Sequence, residues 1–173
     1  MLKRTTVNID LTKMEKEILL KYFPNGVCAF DLEMTGLSPI FDKIIEIAAI
    51  KLLPDGSVEF FHELINPLIE IPEHTIQFHQ LTNEQLRNAP TLKKPLREFI
   101  NFYGNLPLMA HNAMFDASFL IRGIHEYNYE ISLSSIFDSC KFARGLYKGK
   151  EIKPENFKLS TCAEFFKIDF NHP

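Results

Sequence analysis

Three runs early in the chain carry the pattern of strands: 27–33, 44–53 (IIEIAAIKLL) and 57–65 (SVEFFHELI). Each is short, rich in apolar and β-branched residues, and set off by Pro, Gly or Asp. The last two flank PDG, a turn signal, and are expected to pair as a hairpin. Ahead of them, TKMEKEILLKYF has helical periodicity. Met14, Ile18 and Tyr22 share a face, Thr12 and Glu15 form a capping box, and PNG at 24–26 breaks the chain. A polar, Pro-interrupted segment follows the hairpin and leads to LTNEQLRNAP. There Thr82 and Gln85 make a second capping box, and Pro90 ends a short helix. TLKKPLREFINFYG predicts a longer helix closed by Gly104. LPLMAH predicts a short strand and NAMFDASFLIRGIHEY a helix. SIFDSCKFARGLY reads as a strand end running into a helix, and LSTCAEFF as the start of a last helix near Ser160.

The order β-β-β-α-β-α-β-α predicts a mixed sheet flanked by helices, an α/β or α+β layer architecture. After the hairpin, the helix-linked strands should run parallel through right-handed crossovers. Ligands on such sheets collect at strand ends, where loops gather. Residues 1–25 are expected to be a helical extension, and 26–173 the domain proper.

Acids break this apolar pattern at three places. Asp31 and Glu33 alternate within the first strand, so both point to one expected half-buried face. Asp116 shares a helical stripe with Leu120 and Ile124, at the edge of the surface that packs on the sheet. Each alone is compatible with an ion pair or a helix cap; unpaired, each is costly to desolvate. One solution for all three is a divalent cation. Mg²⁺ and Mn²⁺ take carboxylate oxygens and keep water and substrate phosphates as other ligands. A metal pair serves in-line displacement at phosphorus.

Composition narrows the setting. With 173 residues, 46% of them hydrophobic, the chain suffices for one domain with a core. A net charge of -3 and a pI near 6.1 exclude a uniformly basic nucleic-acid coat, so a polyanion would be held by a patch or by metal ions. Cys28, Cys140 and Cys162 are scattered with no C-x-x-C pair, which suits reduced core thiols in a cytoplasmic protein. No apolar run is long enough for a bilayer, and the opening residues lack the apolar stretch of a signal peptide.

FDLEMTGL and HNAMFDASFL resemble the first and second motifs of the DEDD 3′→5′ exonucleases. The likeness is greatest to DnaQ-like enzymes such as the epsilon proofreading subunit of bacterial DNA polymerase III. KIIEIAAIKL, FHQLTNEQLRNAP and KLSTCAEFFKI match that family in the same order, so the resemblance covers about residues 27–170. It implies an RNase H-like mixed five-stranded sheet, three antiparallel strands followed by two parallel ones, flanked by helices. It implies two Mg²⁺ or Mn²⁺ ions held by Asp31, Glu33 and Asp116, with Asp31 touching both. Met34, Thr35 and Leu37 would line the pocket for the 3′-terminal nucleotide, with Leu37 wedged against the last base. Phe115 would flank it or belong to the core; Asn112 would touch substrate or, preferably, cap its helix. The implied partners are nucleic acid with a free 3′ end, DNA before RNA, and a DNA polymerase subunit. EMTGL also resembles oligoribonuclease, which keeps an RNA exonuclease in view; a non-catalytic nucleic-acid or polymerase-binding module is the reading from another class.

The chain departs from the family at its end. His-type members carry H-x-x-x-x-D on a C-terminal helix, whose His takes a proton from the attacking water. Here the only such spacing is His111 to Asp116, within the second motif. Asp138 and Asp169 do not align with the fourth acid, and His172 is followed only by Pro173. The domain is expected to lack that helix in this chain, with the general base beyond Pro173 and weak activity as the consequence. Lys141, Arg144, Lys148, Lys150, Lys153 and Lys158 outnumber Glu151 and Glu155 and offer a track for a phosphate backbone, or simply a solvated surface. Glu46 is expected to make a structural hydrogen bond, and His79 to stand at a helix entry.

Overall fold

The computed structural model describes residues 11–131, 133 and 135–168. Helix α1 (Lys13–Tyr22) begins at the capping box: Thr12 Oγ1 accepts from Glu15 N at 3.3 Å and the Glu15 carboxylate accepts from Thr12 N at 2.7 Å. None of its residues is buried, so Met14, Ile18 and Tyr22 share a face that is open to solvent. The contact back to the domain comes just after it, where Phe23 meets Phe137 edge-on.

Strands β1 (Val27–Met34), β2 (Ile44–Leu52) and β3 (Val58–Leu64) form an antiparallel meander. The β2–β3 turn closes through Leu53 N to Ser57 O, and Asp55 accepts from Ser57 N. Between β1 and β2 the register slips after Glu33↔Glu46, because Met34 pairs with Ile44. This bulge lets neighbours Ile44 and Ile45 both be buried, each in a different apolar cluster.

The stretch after β3 is more structured than its polar, Pro-broken sequence suggests. Helix α2 (Glu73–His79) starts after an extended Pro72 and is stopped by Gln80 in the left-handed region, φ 57°. Helix α3 (Asn83–Leu86) follows with its Thr82–Gln85 capping box in place. Ile71 and Leu86 pack on Ile45, with Ile76 and Leu81 beside them.

Helix α4 (Lys93–Tyr103) ends at Gly104, whose φ of 58° favours glycine. Strand β4 (Leu108–Ala110), helix α5 (Met114–Glu126), strand β5 (Ile136–Asp138), helix α6 (Ser139–Leu146) and helix α7 (Leu159–Phe166) complete the order. The five strands lie in the order β3-β2-β1-β4-β5, with β1, β4 and β5 parallel. The hairpin and the parallel pairing of the helix-linked strands therefore follow the sequence expectation.

The main core lies between the sheet and α4 and α5. Cys28, Phe30, Leu32 and Met34 of β1 meet Leu96 and Phe99 of α4 and Leu120 and Ile124 of α5. Phe99 is central, with ring centroids 5.2–5.7 Å from Phe30, Phe61 and Tyr103. The three cysteines are buried free thiols, and burial pushes that of Cys28 up to about 12. Among the described residues no helix is long and apolar enough to cross a membrane.

Candidate active site

Strand β1 outruns its parallel neighbour. The β1–β4 ladder covers Cys28↔Leu108 and Ala29↔Met109, after which β4 ends and the chain turns through 111–113 into α5. Asp31 and Glu33 lie just past that point, at the strand-end crevice where such sheets place ligands. The alternation works as expected: Phe30, Leu32 and Met34 are buried in the core, and Asp31 and Glu33 are on the opposite face. Asp31 is exposed, rather than half-buried as the sequence suggested, and Glu33 is partly buried.

The cost of desolvation falls instead on Asp116. It sits in the first turn of α5 and is 4% exposed. Burial foremost, then the charge of Asp31, and to a lesser degree that of Asp138, push its carboxyl from an ordinary 3.8 up to about 7. The backbone N–H groups of Asp116 itself and of Leu32 oppose that rise. The Leu32 backbone and the charge of Asp31 both act on this carboxyl, which places it beside β1. Two motifs more than eighty residues apart thus converge.

The remaining expected site residues divide. Leu37 is 82% exposed, available to a ligand. Met34 and Thr35 are 8% and 1% exposed; Met34 packs in the core, and the Thr35 hydroxyl is committed to a turn. Phe115 is partly buried against the core and edge-on to Phe119. Asn112 does not cap α5. It has φ 63°, its backbone carbonyl accepts from Phe115 N, and Ala113 is the N-cap, with no side-chain cap bond. The tight strand-to-helix turn needs a left-handed residue there, which Asn tolerates, so conformation rather than capping explains it.

The sequence does not anticipate the part that Asp138 plays. Asp138 does not align with the family's fourth acid, yet it acts on Asp116 electrostatically while its Oδ1 caps α6 by accepting from Lys141 N at 3.0 Å. Its Oδ2 is buried without a hydrogen-bond partner. The signal was available: a lone acid at the end of a strand parallel to β4 must lie near β4's exit. Glu46 faces Glu33 across the ladder and bonds His62, which raises the His62 pKa. This is the structural hydrogen bond expected for Glu46. His79 ends α2, and its Nδ1 accepts from Leu81 N at 3.0 Å. His111 follows β4, with Nδ1 at 3.0 Å from Ser139 Oγ and Nε2 at 2.8 Å from the Phe157 carbonyl. Only an N–H can approach that carbonyl, so Nε2 donates. The six cations from Lys141 to Lys158 are all exposed; Arg144 stacks over Phe157 and Lys150 over Tyr147. Asp169 and His172 lie outside the described residues.

Asp42 organises the turn after β1. Its Oδ2 accepts from Ser38 N at 2.8 Å and its Oδ1 from Thr35 Oγ1 at 3.3 Å. A Cβ on Gly36 would sit 2.5 Å from that carboxylate. Gly36→Ala is therefore expected to displace Asp42 and destabilise the fold by about 1–3 kcal/mol, read as a lower urea midpoint at unchanged slope.

Among the described residues no three Asp, Glu, His or Cys side chains already form a cage for a metal ion. The donor set still suits a hard divalent cation. Mg²⁺ is held by one or two carboxylates plus substrate phosphates and water, and a cation between Asp31 and Asp116 would relieve the repulsion that raises Asp116.

Comparison with known proteins agrees with this geometry. The model of the exonuclease family RNase T matches residues 28–172. The PolC-type DNA polymerase III of Caldanaerobacter subterraneus subsp. tengcongensis is 34% identical over 143 residues, 83% of this chain and 10% of that one. That of Oceanobacillus iheyensis is 34% identical over 140 residues, 81% and 10%. The chain thus spans about a tenth of the length of these relatives. Exonuclease X in complex with 5′-overhanging duplex DNA superposes with a TM-score of 0.62 at 23% identity, covering 85% of this chain and 76% of that one. E. coli exonuclease I in complex with a dA16 oligonucleotide gives 0.73 at 15% identity, covering 84% and 37%. With the family model spanning nearly the whole chain and the two acidic motifs brought together in the fold, the chain belongs to the RNase T exonuclease family, among the DnaQ-like DEDD 3′→5′ exonucleases.

Proposed function

We propose that this domain is a metal-dependent 3′→5′ exonuclease of proofreading or repair type. It hydrolyses the terminal phosphodiester of single-stranded nucleic acid, DNA before RNA, and releases nucleoside monophosphates in the cytoplasm. The observation that supports this best is the convergence of Asp31 and the buried Asp116 at the end of β1, with Glu33 one alternation away. Asp31, Glu33 and Asp116 would hold two Mg²⁺ or Mn²⁺ ions. Bound there, the ions would activate water and stabilise charge on the attacking and leaving oxygens. The carboxylates fix where phosphate charge is tolerated. Leu37 offers an apolar edge to the last base, and Phe115 supports the same corner from the core side. Similarity to PolC-type chains suggests that the domain works with a DNA polymerase.

The general base is the finer part of the proposal. His111 has the spacing to Asp116 but holds Ser139 and Phe157 with its two nitrogens, which suits a structural post. The base is proposed to be a His outside the described residues, and loss of that group to lower turnover by about 10²–10⁴. The test follows a 3′-labelled oligonucleotide in Mn²⁺, with Mn²⁺ binding measured in parallel. Asp31→Ala is expected to abolish both cleavage and Mn²⁺ binding. Oligonucleotide binding without cleavage, at an Mn²⁺ affinity that Asp31→Ala leaves unchanged, would make the domain a binding module instead.

A further inference from the structure

The turn from Thr35 to Lys43 is tightly built, yet it presents apolar side chains to solvent. Its ends are tied by Thr35 N to Lys43 O at 2.9 Å and Lys43 N to Thr35 Oγ1 at 3.0 Å. Inside, Asp42 holds Ser38 N and the Thr35 hydroxyl, while Phe41 N and Asp42 N both donate to Ser38 O at 3.2 and 2.8 Å. On this frame Ile40 is 62% and Phe41 78% exposed, beside Leu37. A turn fixed by its own hydrogen bonds needs no apolar residues at its tip for stability.

Its surroundings point to the occupant. The turn continues directly from the strand that bears Asp31 and Glu33. Its far end lies against α5: Pro39, Asp42 and Lys43 line one shallow cavity with Phe119, Arg122 and Glu126. Arg122 is six residues past Asp116, roughly 9 Å along the helix. Lys43 and Arg122 each approach Glu126 only to 4.0 Å, and all three side chains are partly exposed. Apolar and aromatic side chains interleaved with cations, continuous with the carboxylates, match the way single strands are tracked: bases stack and phosphates meet positive charge.

We propose that Ile40 and Phe41, with Lys43 and Arg122, form an outer nucleotide subsite, where a base two or more positions upstream of the 3′-terminal nucleotide stacks on Phe41. The inference rests on the exonuclease reading and deepens it. The subsite acts on strand length: a dinucleotide ends before reaching it, and a longer strand gains the stacking contact. Because the turn is already ordered, little conformational freedom is lost when the base docks.

The test uses the full chain in Mn²⁺ with nuclease-resistant phosphorothioate oligodeoxythymidylates of two and eight nucleotides. Binding is read by competition against a fluorescent twelve-nucleotide strand. Phe41→Ala is expected to weaken the octamer on the order of tenfold and leave the dinucleotide unchanged, and Phe41→Tyr to restore octamer affinity. The high exposure of Phe41 should keep the thermal midpoint of both variants at the parent value. An octamer affinity unmoved by Phe41→Ala would overturn the subsite and leave the patch to another occupant, such as a protein surface. Equal loss for dinucleotide and octamer would overturn it too, placing Phe41 in the terminal pocket. Failure of the unaltered chain to bind either strand would instead reject the exonuclease reading, and the subsite with it.

Discussion

Asp116→Asn is expected to yield a chain that is more stable than its parent without metal at pH 8, yet cuts about 10³-fold more slowly. Both effects come from the same buried carboxyl. Its folded-state value, about 7, lies above the ordinary 3.8. Folding therefore incurs no penalty from this group below pH 3.8, where it is protonated folded or unfolded. The penalty grows as pH rises from 3.8 to about 7 and is constant above that. Its ceiling is on the order of 4 kcal/mol at 1.36 kcal/mol per pH unit. Asn keeps an acceptor for Leu32 N–H and removes the charge, so it escapes the penalty. Urea midpoints in EDTA should coincide for the two chains near pH 4 and separate by pH 8. Excess Mn²⁺ should narrow that gap, because a ligand at 100 times its Kd stabilises by about 2.7 kcal/mol only the chain that binds it. The loss in rate follows from a metal contribution of several kcal/mol to the transition state. Parallel pH curves, or equal Mn²⁺ responses, would show that Asp116 is neither destabilising nor a ligand.

That tension between stability and chemistry was legible in the sequence because it broke a local rule. Acids at alternate strand positions, and on an apolar helical stripe, conflict with the surrounding pattern, and such conflicts concentrate at functional sites. The sheet was legible for the opposite reason: the runs of β1 to β3, the PDG turn and both capping boxes agree with one another. Three features were hidden. The bulge at Glu33/Met34 depends on which of Ile44 and Ile45 faces which cluster, and both are simply apolar in sequence. Helix α2 is one short span between Pro72 and a left-handed Gln80, stabilised through Thr75 and Ile76 rather than by propensity. Asn112 has the position of a cap, since Asn before a helix usually is one, but the turn out of β4 uses its tolerance of positive φ. Asp138 and Asp42 act through tertiary neighbours, which periodicity does not report.

The two phenylalanines at 99 and 41 make the second large prediction, because the same truncation should have opposite results. Phe99 is 0% exposed and touches Phe30 of β1, Phe61 of β3 and Tyr103 of its own helix. Phe99→Ala leaves a cavity where sheet and helix meet, and should cost about 3–5 kcal/mol. Against a usual total of roughly 5–15 kcal/mol, that is a large share of the fold's stability. The thermal midpoint should fall by about 6–20 °C, at about 2–4 °C per kcal/mol for domains of this size class. Activity should fall with the folded fraction, and be recovered at low temperature where the variant is folded. Phe30 carries the reason for that recovery: it is the residue before Asp31, so Phe99 supports the strand that presents the acid without touching the reacting groups. Phe41→Ala should show the reverse, an unchanged midpoint and weakened binding of long strands. A Phe99→Ala chain that keeps its midpoint but loses activity would mean that Phe99 positions β1 rather than supports the core. Measured together, the two variants separate what holds the sheet from what reads the strand.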